Sequence, residues 1–355
     1  MAEAYRTGRE VSHVDLMTMN TDPVLPHSGP SVLGLLSCHS PTPAILCCQI
    51  VEMERKETKE KKPYVRLKVS DGSATAELSV WSDHAAFAVV LSMTKGQCYA
   101  MEGTFHAGKY GLESKDWMPR LLSGEEHDAV FAGPPELRIK QANDWAALIS
   151  LVESLPDSSL RTLAGMLLMG SEEPYRRAGA ARGNHHARRG GLVEHVSFMA
   201  QTADAICRVY PELRRDLLIV AVIFHDCGKM IENQYEREGF EMPFSFRAEA
   251  YGHILIGIEM VRTLWKKLPE EAQKDDLMMH ALCHCIAAHH GELEWGSPVQ
   301  PKLPEAAALH YIDQIDAKLE MFRQAKAIGK ELAPGVLDGP RPLPRTILTL
   351  PSLLT

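Results

Sequence analysis

A histidine and an aspartate stand side by side at the end of an apolar run in this sequence. His225 and Asp226 directly follow Leu217–Phe224, a segment typical of a buried helix. Burying a neutral imidazole next to a carboxylate is costly unless something binds both groups. A metal ion is the obvious partner, so the pair predicts a metal centre.

Four other predicted helices place residues of the metal-ligand type on or near a buried face. His195, for example, has Leu192 and Met199 as its i−3 and i+4 neighbours, so it projects from the buried side of its helix. A single inward histidine is more often a hydrogen-bonded core residue, but five such helices favour a shared metal site. The predicted ligands are His195, His225, Asp226, His253, His289, His290 and Asp313.

The chemistry of these donors restricts the ion. Imidazoles with carboxylates suit Mn²⁺, Fe²⁺, Co²⁺ or Zn²⁺ and disfavour a hydrated Mg²⁺ site; we favour Mn²⁺. The donors suffice for two ions, with Asp226 as the bridge. His280 and His284 are four residues apart and form an alternative zinc pair. Cys283 and Cys285 lie two residues apart, so they do not face each other on a helix, and we expect core or surface thiols.

The elements that must position these residues are helical. From about residue 141 onward the pattern predicts an all-α region. The predicted helices are Trp145–Leu155, Leu160–Met169, Leu192–Tyr210, Arg215–His225, Gly252–Leu268, Leu277–Ala288 and Pro304–Ala327.

The region before the helices has the pattern of short strands. The predicted strands are Ile45–Met53, Tyr64–Val69, Ala74–Trp81, Gln97–Phe105 and Leu112–Trp117, with a helix at Ala85–Met93 before the fourth. Five strands with this helix predict a small barrel of the oligonucleotide-binding (OB) type; another small β-domain is the alternative. The fold class is therefore α+β and multidomain, with a five-stranded OB-type barrel followed by helices.

The loop between the first two strands is rich in charge and borders the face that binds oligonucleotides in such barrels. Lys56, Lys59, Lys61 and Lys62 are its basic residues, although a loop of alternating charge is usually only solvated. Aromatic side chains could stack on bases, or belong to the core. These are Tyr64, Trp81, Phe105 and Tyr110.

The expected domains are a loosely ordered lead-in (1–40), the OB domain (41–122), the helical domain (141–330) and a Pro-rich extended tail (331–355). The chain of 355 residues is 45% hydrophobic and 24% charged, as in a soluble globular protein. No apolar run could cross a bilayer. The eight cysteines include no C-x-x-C pair, which indicates reduced thiols and a cytoplasmic protein. The net charge of −8 argues against coating nucleic acid by charge alone.

The order His195, His225-Asp226, Asp313 resembles the HD superfamily of metal-dependent phosphohydrolases, and His253 with His289-His290 resembles its two-metal branch. The segments Gly179–His195, His289–Pro298 and His310–Lys318 are similar to those of the YhaM-type 3′→5′ exoribonucleases, which also carry an OB domain before the HD domain. The resemblance extends from about Ala44 to Ala327.

This resemblance implies one ion at His195, His225, Asp226 and Asp313 and a second at Asp226, His253 and His289, with His290 as a further candidate. Asp226 and Lys229 would act in catalysis, Lys229 by neutralising a phosphate oxygen, although it could simply cap a helix end. The residues before His195 would form a basic lip for the strand: Arg182, His185, His186, Arg188 and Arg189.

The implied function is hydrolysis of single-stranded RNA, or also single-stranded DNA, to mononucleotides from the 3′ end. One alternative is a phosphohydrolase of free nucleotides or cyclic dinucleotides with a regulatory barrel. Another is a module that binds single strands and whose HD site is only structural. The sequence also leaves open whether the chain forms a homo-oligomer.

Overall fold

The computed structural model describes residues 29–350 except Tyr110, Asn184 and Pro340. Most of the predicted lead-in therefore lies outside the described residues. Its end is ordered, since Val32–Leu36 forms a short helix (α1) whose first amide donates a hydrogen bond to Asp71 Oδ2 at 2.8 Å.

A sheet of six strands follows α1, where five strands were predicted. The strands are β1 (Thr42–Glu57), β2 (Pro63–Ser70), β3 (Thr75–Trp81), β4 (Cys98–Gly108), β5 (Gly111–Glu113) and β6 (Met118–Leu121), with the short helix α2 (Phe87–Val90) before β4. The predicted fifth strand ends early at Glu113, and the chain pairs again only from Met118, along β4. Trp117, between the two, is fully buried.

The strand pairings form a circuit. Neighbouring strands pair in the order β1-β2-β3-β5-β4, and β4 also pairs with β1, with Thr42 opposite Phe105. Inward side chains such as Leu46, Leu67, Leu78 and Met101 fill the space inside.

Helices make up the second half of the described chain. They are α3 (Glu125–Ala132), α4 (Pro135–Glu153), α5 (Ser158–Gly170), α6 (Glu172–Arg177), α7 (Gly191–Val209), α8 (Arg215–His225), α9 (Lys229–Glu232), α10 (Phe246–Trp265), α11 (Glu270–Gln273), α12 (Asp276–Ala288) and α13 (Pro304–Ile328). None of the described helices has the length and hydropathy of a membrane span.

The core of the helical half is built around α8. Every side chain from Leu217 to His225 is buried, and α8 packs against α5, α7, α12 and α13. Its apolar surface holds it in place on all sides, so the pair at its end is fixed deep inside the bundle.

Several elements of this half differ from the sequence prediction. Helix α4 begins at Pro135 and not at Trp145, and the short helices α3, α6, α9 and α11 were not predicted. The helix predicted from Gly252 begins earlier, at Phe246, and is broken at Gly252, whose φ of +68° lies in the left-handed region that glycine tolerates. The tail contains three short paired strands, β7 (Glu331–Ala333), β8 (Val336–Asp338) and β9 (Thr346–Leu348), whose Ile347 packs against Ala325 of α13.

Candidate metal centre

Four imidazoles surround the buried carboxylate of Asp226. His195 Nε2 and His225 Nε2 lie 3.6 and 3.2 Å from Asp226 Oδ2. His253 Nε2 and His289 Nε2 lie 3.5 and 3.8 Å from the other oxygen, Oδ1. Two imidazoles therefore face each oxygen, which is the arrangement expected of a carboxylate that bridges two ions.

The other ring nitrogen of each imidazole is already occupied. Backbone carbonyls of Val222 and Ile286 lie 2.7 Å from the Nδ1 atoms of His225 and His289. Because a carbonyl can only accept, these Nδ1 atoms carry the proton and the Nε2 lone pairs are free to bind a cation.

Carboxylates orient the remaining two rings. Asp316 Oδ2 lies 2.8 Å from His195 Nδ1, and Glu232 Oε2 lies 2.8 Å from His253 Nδ1. Contacts of this kind fix the orientation and tautomer of metal-binding histidines.

The unsatisfied atoms at this site fit a metal centre. Among the described residues, the Nε2 atoms of His195, His225 and His253 and Oδ1 of Asp226 are buried without a hydrogen-bond partner. Leaving such groups unpaired costs about 1–3 kcal/mol each. Divalent cations bound between the imidazoles and Asp226 would satisfy all four at once.

Three further side chains reach the same cluster. Asp313 Oδ1 lies 3.4 Å from His195 Nε2. Donor atoms of His253, His289 and His290 lie within 4.8 Å of one another, as do those of His185, His195 and Asp313. The structure thus brings all seven predicted ligands together and adds His185, which was predicted as part of the basic lip. The alternative zinc pair, His280 and His284, is not part of this cluster; His284 Nε2 instead accepts a hydrogen bond from the backbone amide of Lys302.

The surroundings of this site shift the pKa values of its ionisable groups. Burial alone would raise the pKa of Asp226, but His225 and Lys229 hold that pKa well below its ordinary value. Burial would lower the pKa of His195, yet Asp313 and Asp316 raise it to about 9. Burial, reinforced by His225, holds the pKa of His289 well below its usual range. A cation binding here would meet ionised carboxylates and would displace a proton from His195.

Lys229 lies directly against the predicted bridge. Its Nζ is 2.6 Å from Asp226 Oδ2, and its side chain is mostly buried. A lysine that only capped a helix end would not need this contact.

The predicted basic lip requires correction, because its members bind protein groups. His186 is fully buried and bonds through Nε2 to Asp316 at 2.9 Å. Arg188 pairs with the buried Glu194 and Glu320. Arg182 and Arg189 donate to backbone carbonyls between Glu232 and Pro243. These side chains support the centre and the adjacent loop.

Glu194 lies at the middle of this buried network. Burial would raise its pKa, but Arg188 lowers it to about 2, and Lys140 Nζ lies 2.9 Å away. Removing one partner of a buried ion pair strands the other charge. Glu194→Gln is expected to lower the free energy of unfolding by about 3 kcal/mol in urea titrations followed by circular dichroism.

The matched control is Glu172→Gln, which breaks a more exposed pair with Arg176 on α6. We expect it to cost about 0.5 kcal/mol or less. Equal losses in the two variants would contradict the stabilising role of the buried network.

Sequence reasoning did not identify Glu232, Glu194 or Asp316 as parts of the site. A usable signal existed for Asp316, since it follows Asp313 by three residues and shares its helix face. Glu194 and Glu232 find their partners only through the fold.

In the sheet, Tyr64 and Trp81 lie side by side on β2 and β3, with ring centroids 4.7 Å apart, and Trp81 is about half exposed. Lys59, Lys61 and Lys62 are exposed in the turn before β2, while Lys56 pairs with Glu54. Phe105, predicted as a stacking candidate, belongs to the core instead. Tyr110 lies outside the described residues.

Comparison with known proteins agrees with this geometry. Residues 192–318 match the family model of the HD domain. The chain is 30% identical over 264 residues to the 3′-5′ exoribonuclease YhaM of Bacillus subtilis, covering 74% of this chain and 81% of that protein. The YhaM of Geobacillus sp. strain WCH70 is 29% identical over 270 residues, covering 74% of this chain and 79% of the relative.

Similarity is higher over a shorter segment. The YhaM of Bacillus velezensis is 42% identical over 146 residues, which is 41% of this chain and 44% of that protein. No solved structure matches the chain. The match over 81% of the Bacillus subtilis protein, together with the HD-domain match, shows that the chain belongs to the family of YhaM-type 3′-5′ exoribonucleases.

Proposed function

We propose that this protein is a metal-dependent 3′→5′ exoribonuclease that hydrolyses single-stranded RNA to mononucleotides, with single-stranded DNA as a further candidate substrate. The observation that carries the proposal is the placement of two imidazoles at each oxygen of Asp226. The curated relatives are named for this activity.

We assign the donors to two ions. His195, His225 and Asp313 would hold one ion with Asp226 Oδ2; His253, His289 and His290 would hold the other with Oδ1. Mn²⁺ suits this mixture of imidazole and carboxylate. Bound ions would supply an activated water and neutralise phosphate oxygens. The chain's own contribution is to orient the four rings through their Nδ1 contacts, so that each Nε2 faces Asp226, and to keep the site fixed.

Lys229 would contribute a positive charge beside the reacting phosphate. Its ammonium lies 2.6 Å from Asp226 Oδ2, so it can hold the carboxylate and still face a phosphate oxygen. Lys229→Met should lower kcat by about 10²- to 10³-fold, the usual cost of one electrostatic stabiliser, while KM changes little. Steady-state kinetics on an RNA oligomer measure this effect.

The control for Lys229 is Lys229→Arg, which keeps the charge and should recover part of kcat. A lysine that only capped the helix would give wild-type kcat in both variants.

We also propose that 41–122 form an OB-type barrel and 141–330 the HD domain. The closed circuit of pairings among β1 to β5 supports the barrel, with β6 as an added strand. The barrel would hold the RNA through the stacked Tyr64 and Trp81 and the exposed lysines of the neighbouring turn. All eight cysteines are free thiols, which supports a cytoplasmic location.

Trp81 provides the test of the barrel's role. Trp81→Ala should weaken binding of fluorescent oligoadenylate about tenfold, since stacking contributes about 1–3 kcal/mol per base. Met118→Ala removes a similarly exposed apolar side chain on β6 and is the control. Equal affinities in both variants, measured by fluorescence anisotropy, would remove Trp81 from the binding surface.

The activity itself is tested with RNA labelled at its 5′ end and incubated with Mn²⁺. The proposal predicts a ladder that shortens from the 3′ end and released mononucleotides. Hydrolysis of free nucleotides or cyclic dinucleotides without RNA degradation would favour the phosphohydrolase alternative. Binding with no hydrolysis by the wild-type protein would favour the binding module.

A further inference from the structure

We propose that the RNA strand approaching the metal centre runs along a track of exposed aromatic and apolar side chains with one lysine, made of Trp295 and the α13 residues Tyr311, Ile315, Lys318 and Leu319. The inference rests on the proposed function and extends it by naming a second RNA-binding surface, distinct from the one on the sheet.

The track begins at the metal centre. The backbone oxygen of Trp295 lies 3.0 Å from His290 Nδ1, and His310 Nδ1 lies 2.9 Å from the His289 oxygen. The His310 ring lies between two exposed aromatic rings, with centroid distances of 5.9 Å to Trp295 and 5.0 Å to Tyr311. Trp295 is thus bonded to the predicted ligand His290, and Tyr311 packs against His310, which is bonded to the backbone of the predicted ligand His289.

The loop that carries Trp295 is firmly built. Ser297 is buried, and its hydroxyl oxygen lies 2.7 Å from the backbone oxygen of Val299 and 3.1 Å from that of Ala287. Gly296 turns the chain with a φ of +84°. Trp295 nevertheless leaves 56% of its surface exposed. An exposed indole held on a fixed loop loses little conformational entropy when a base stacks on it.

From Tyr311 the track continues along α13. Tyr311, Ile315 and Leu319 are spaced four residues apart, so they share one helix face, and all three are about half exposed or more. At the far end of the helix, the oxygen of Ala327 accepts a hydrogen bond from Ser37, just after α1, which itself packs on the β-sheet. Tyr311 and Ala327 are about 24 Å apart along the helix axis. The helix therefore connects the metal centre to the part that packs on the sheet.

The charges on α13 are those of a nucleic-acid surface. Between Asp313 and the end of the helix, the exposed charged side chains are all basic: Lys318, Arg323 and Lys326. The acidic Asp316 and Glu320 are buried and paired. This pattern stands out in a chain of net charge −8.

Single-stranded RNA fits this surface better than a second copy of the chain. The aromatic and apolar side chains can stack on bases, and the lysine beside them can contact a phosphate. The track also leads to the metal ligands at which a phosphodiester would be cleaved. A second copy that docked through the same face would bring the same basic side chains into the contact, and it would gain nothing from the proximity of the metal centre.

The test compares two substrates on the metal-loaded, full-length enzyme. One is a short RNA oligomer and the other is bis(p-nitrophenyl) phosphate, which has no neighbouring nucleotides. For Tyr311→Ala and Trp295→Ala, the ratio of kcat/KM on RNA to that on the small ester should fall about tenfold, mainly through KM on RNA. Tyr311→Phe should keep the ratio, because stacking needs the ring and not the hydroxyl.

Salt dependence gives an independent readout. Lys318→Gln should make the slope of log kcat/KM on RNA against log salt concentration shallower by about 0.7, as expected for one lost contact to a single-strand phosphate. Leu277→Ala, which removes an exposed leucine at the start of α12, should leave both the ratio and the slope at wild-type values.

The outcomes separate the two proposals. A wild-type enzyme that cleaves the small ester but not RNA overturns the proposed function and the track with it. A wild-type enzyme that degrades RNA, with track variants that keep the wild-type ratio, overturns the track alone. Loss of self-association in Leu319→Lys without a change in RNA kinetics would assign the face to a second copy.

Discussion

Replacing Asp226 with Asn should lower kcat for RNA hydrolysis by at least about 10³-fold. The side chain faces all four imidazoles, two at each oxygen. An amide keeps the shape but loses the charge and one acceptor, so neither ion would be held well. Losing several kcal/mol of transition-state stabilisation corresponds to about three powers of ten in rate. Single-turnover kinetics with labelled RNA measure it.

The same variant should keep its affinity for RNA, because the sheet and the α13 track lie outside the metal ligands. Asp128→Asn, at an exposed position on α3, is the matched control and should behave as wild type. If Asp226→Asn degraded RNA at even a tenth of the wild-type rate, Asp226 would not bridge catalytic ions.

Removal of divalent ions by a chelator should have an effect of similar size. Four buried atoms that could bind a metal ion lack hydrogen-bond partners at Asp226. The rate of RNA hydrolysis by the metal-free protein should therefore fall by at least about 10³-fold. Mn²⁺ should restore the rate better than Mg²⁺, since imidazole-rich sites suit the former. Readdition of Mn²⁺ should also raise Tm, because the ion binds only the folded state.

Dialysis against the chelator without loss of RNA hydrolysis would contradict a metal-dependent reaction. The control is chelator already saturated with Mn²⁺, which cannot remove the ions; it should leave the activity at its starting value and excludes a direct effect of the chelator on the protein.

Much of the metal centre could be predicted because its residues occupy recognisable positions. His225 and Asp226 follow a run that must be buried, and His289 and His290 end another apolar helix. The spacing of apolar residues along a helix indicates which of its faces is buried, so the sequence alone predicts that these side chains point inward. Which oxygen of Asp226 each imidazole faces depends on how α7, α8, α10 and α12 pack, which only the structure gives.

The basic lip shows the limit of this reasoning. Arg188 was assigned to the lip because it lies in a basic segment just before the helix of His195. Its partner Glu320 lies 132 residues away, on α13. The charge and spacing of a residue do not reveal a buried partner that distant in sequence. For the same reason His186 was predicted at the surface, although Asp316 and the bundle enclose it.

The bridged pair of ions would be seen in an anomalous-difference map from crystals soaked in Mn²⁺. We expect two peaks on either side of Asp226: one among His195, His225 and Asp313, the other among His253, His289 and His290. We also expect a carboxylate oxygen of Asp226 at each peak. A single peak, or peaks that do not touch Asp226, would contradict the bridged pair of ions.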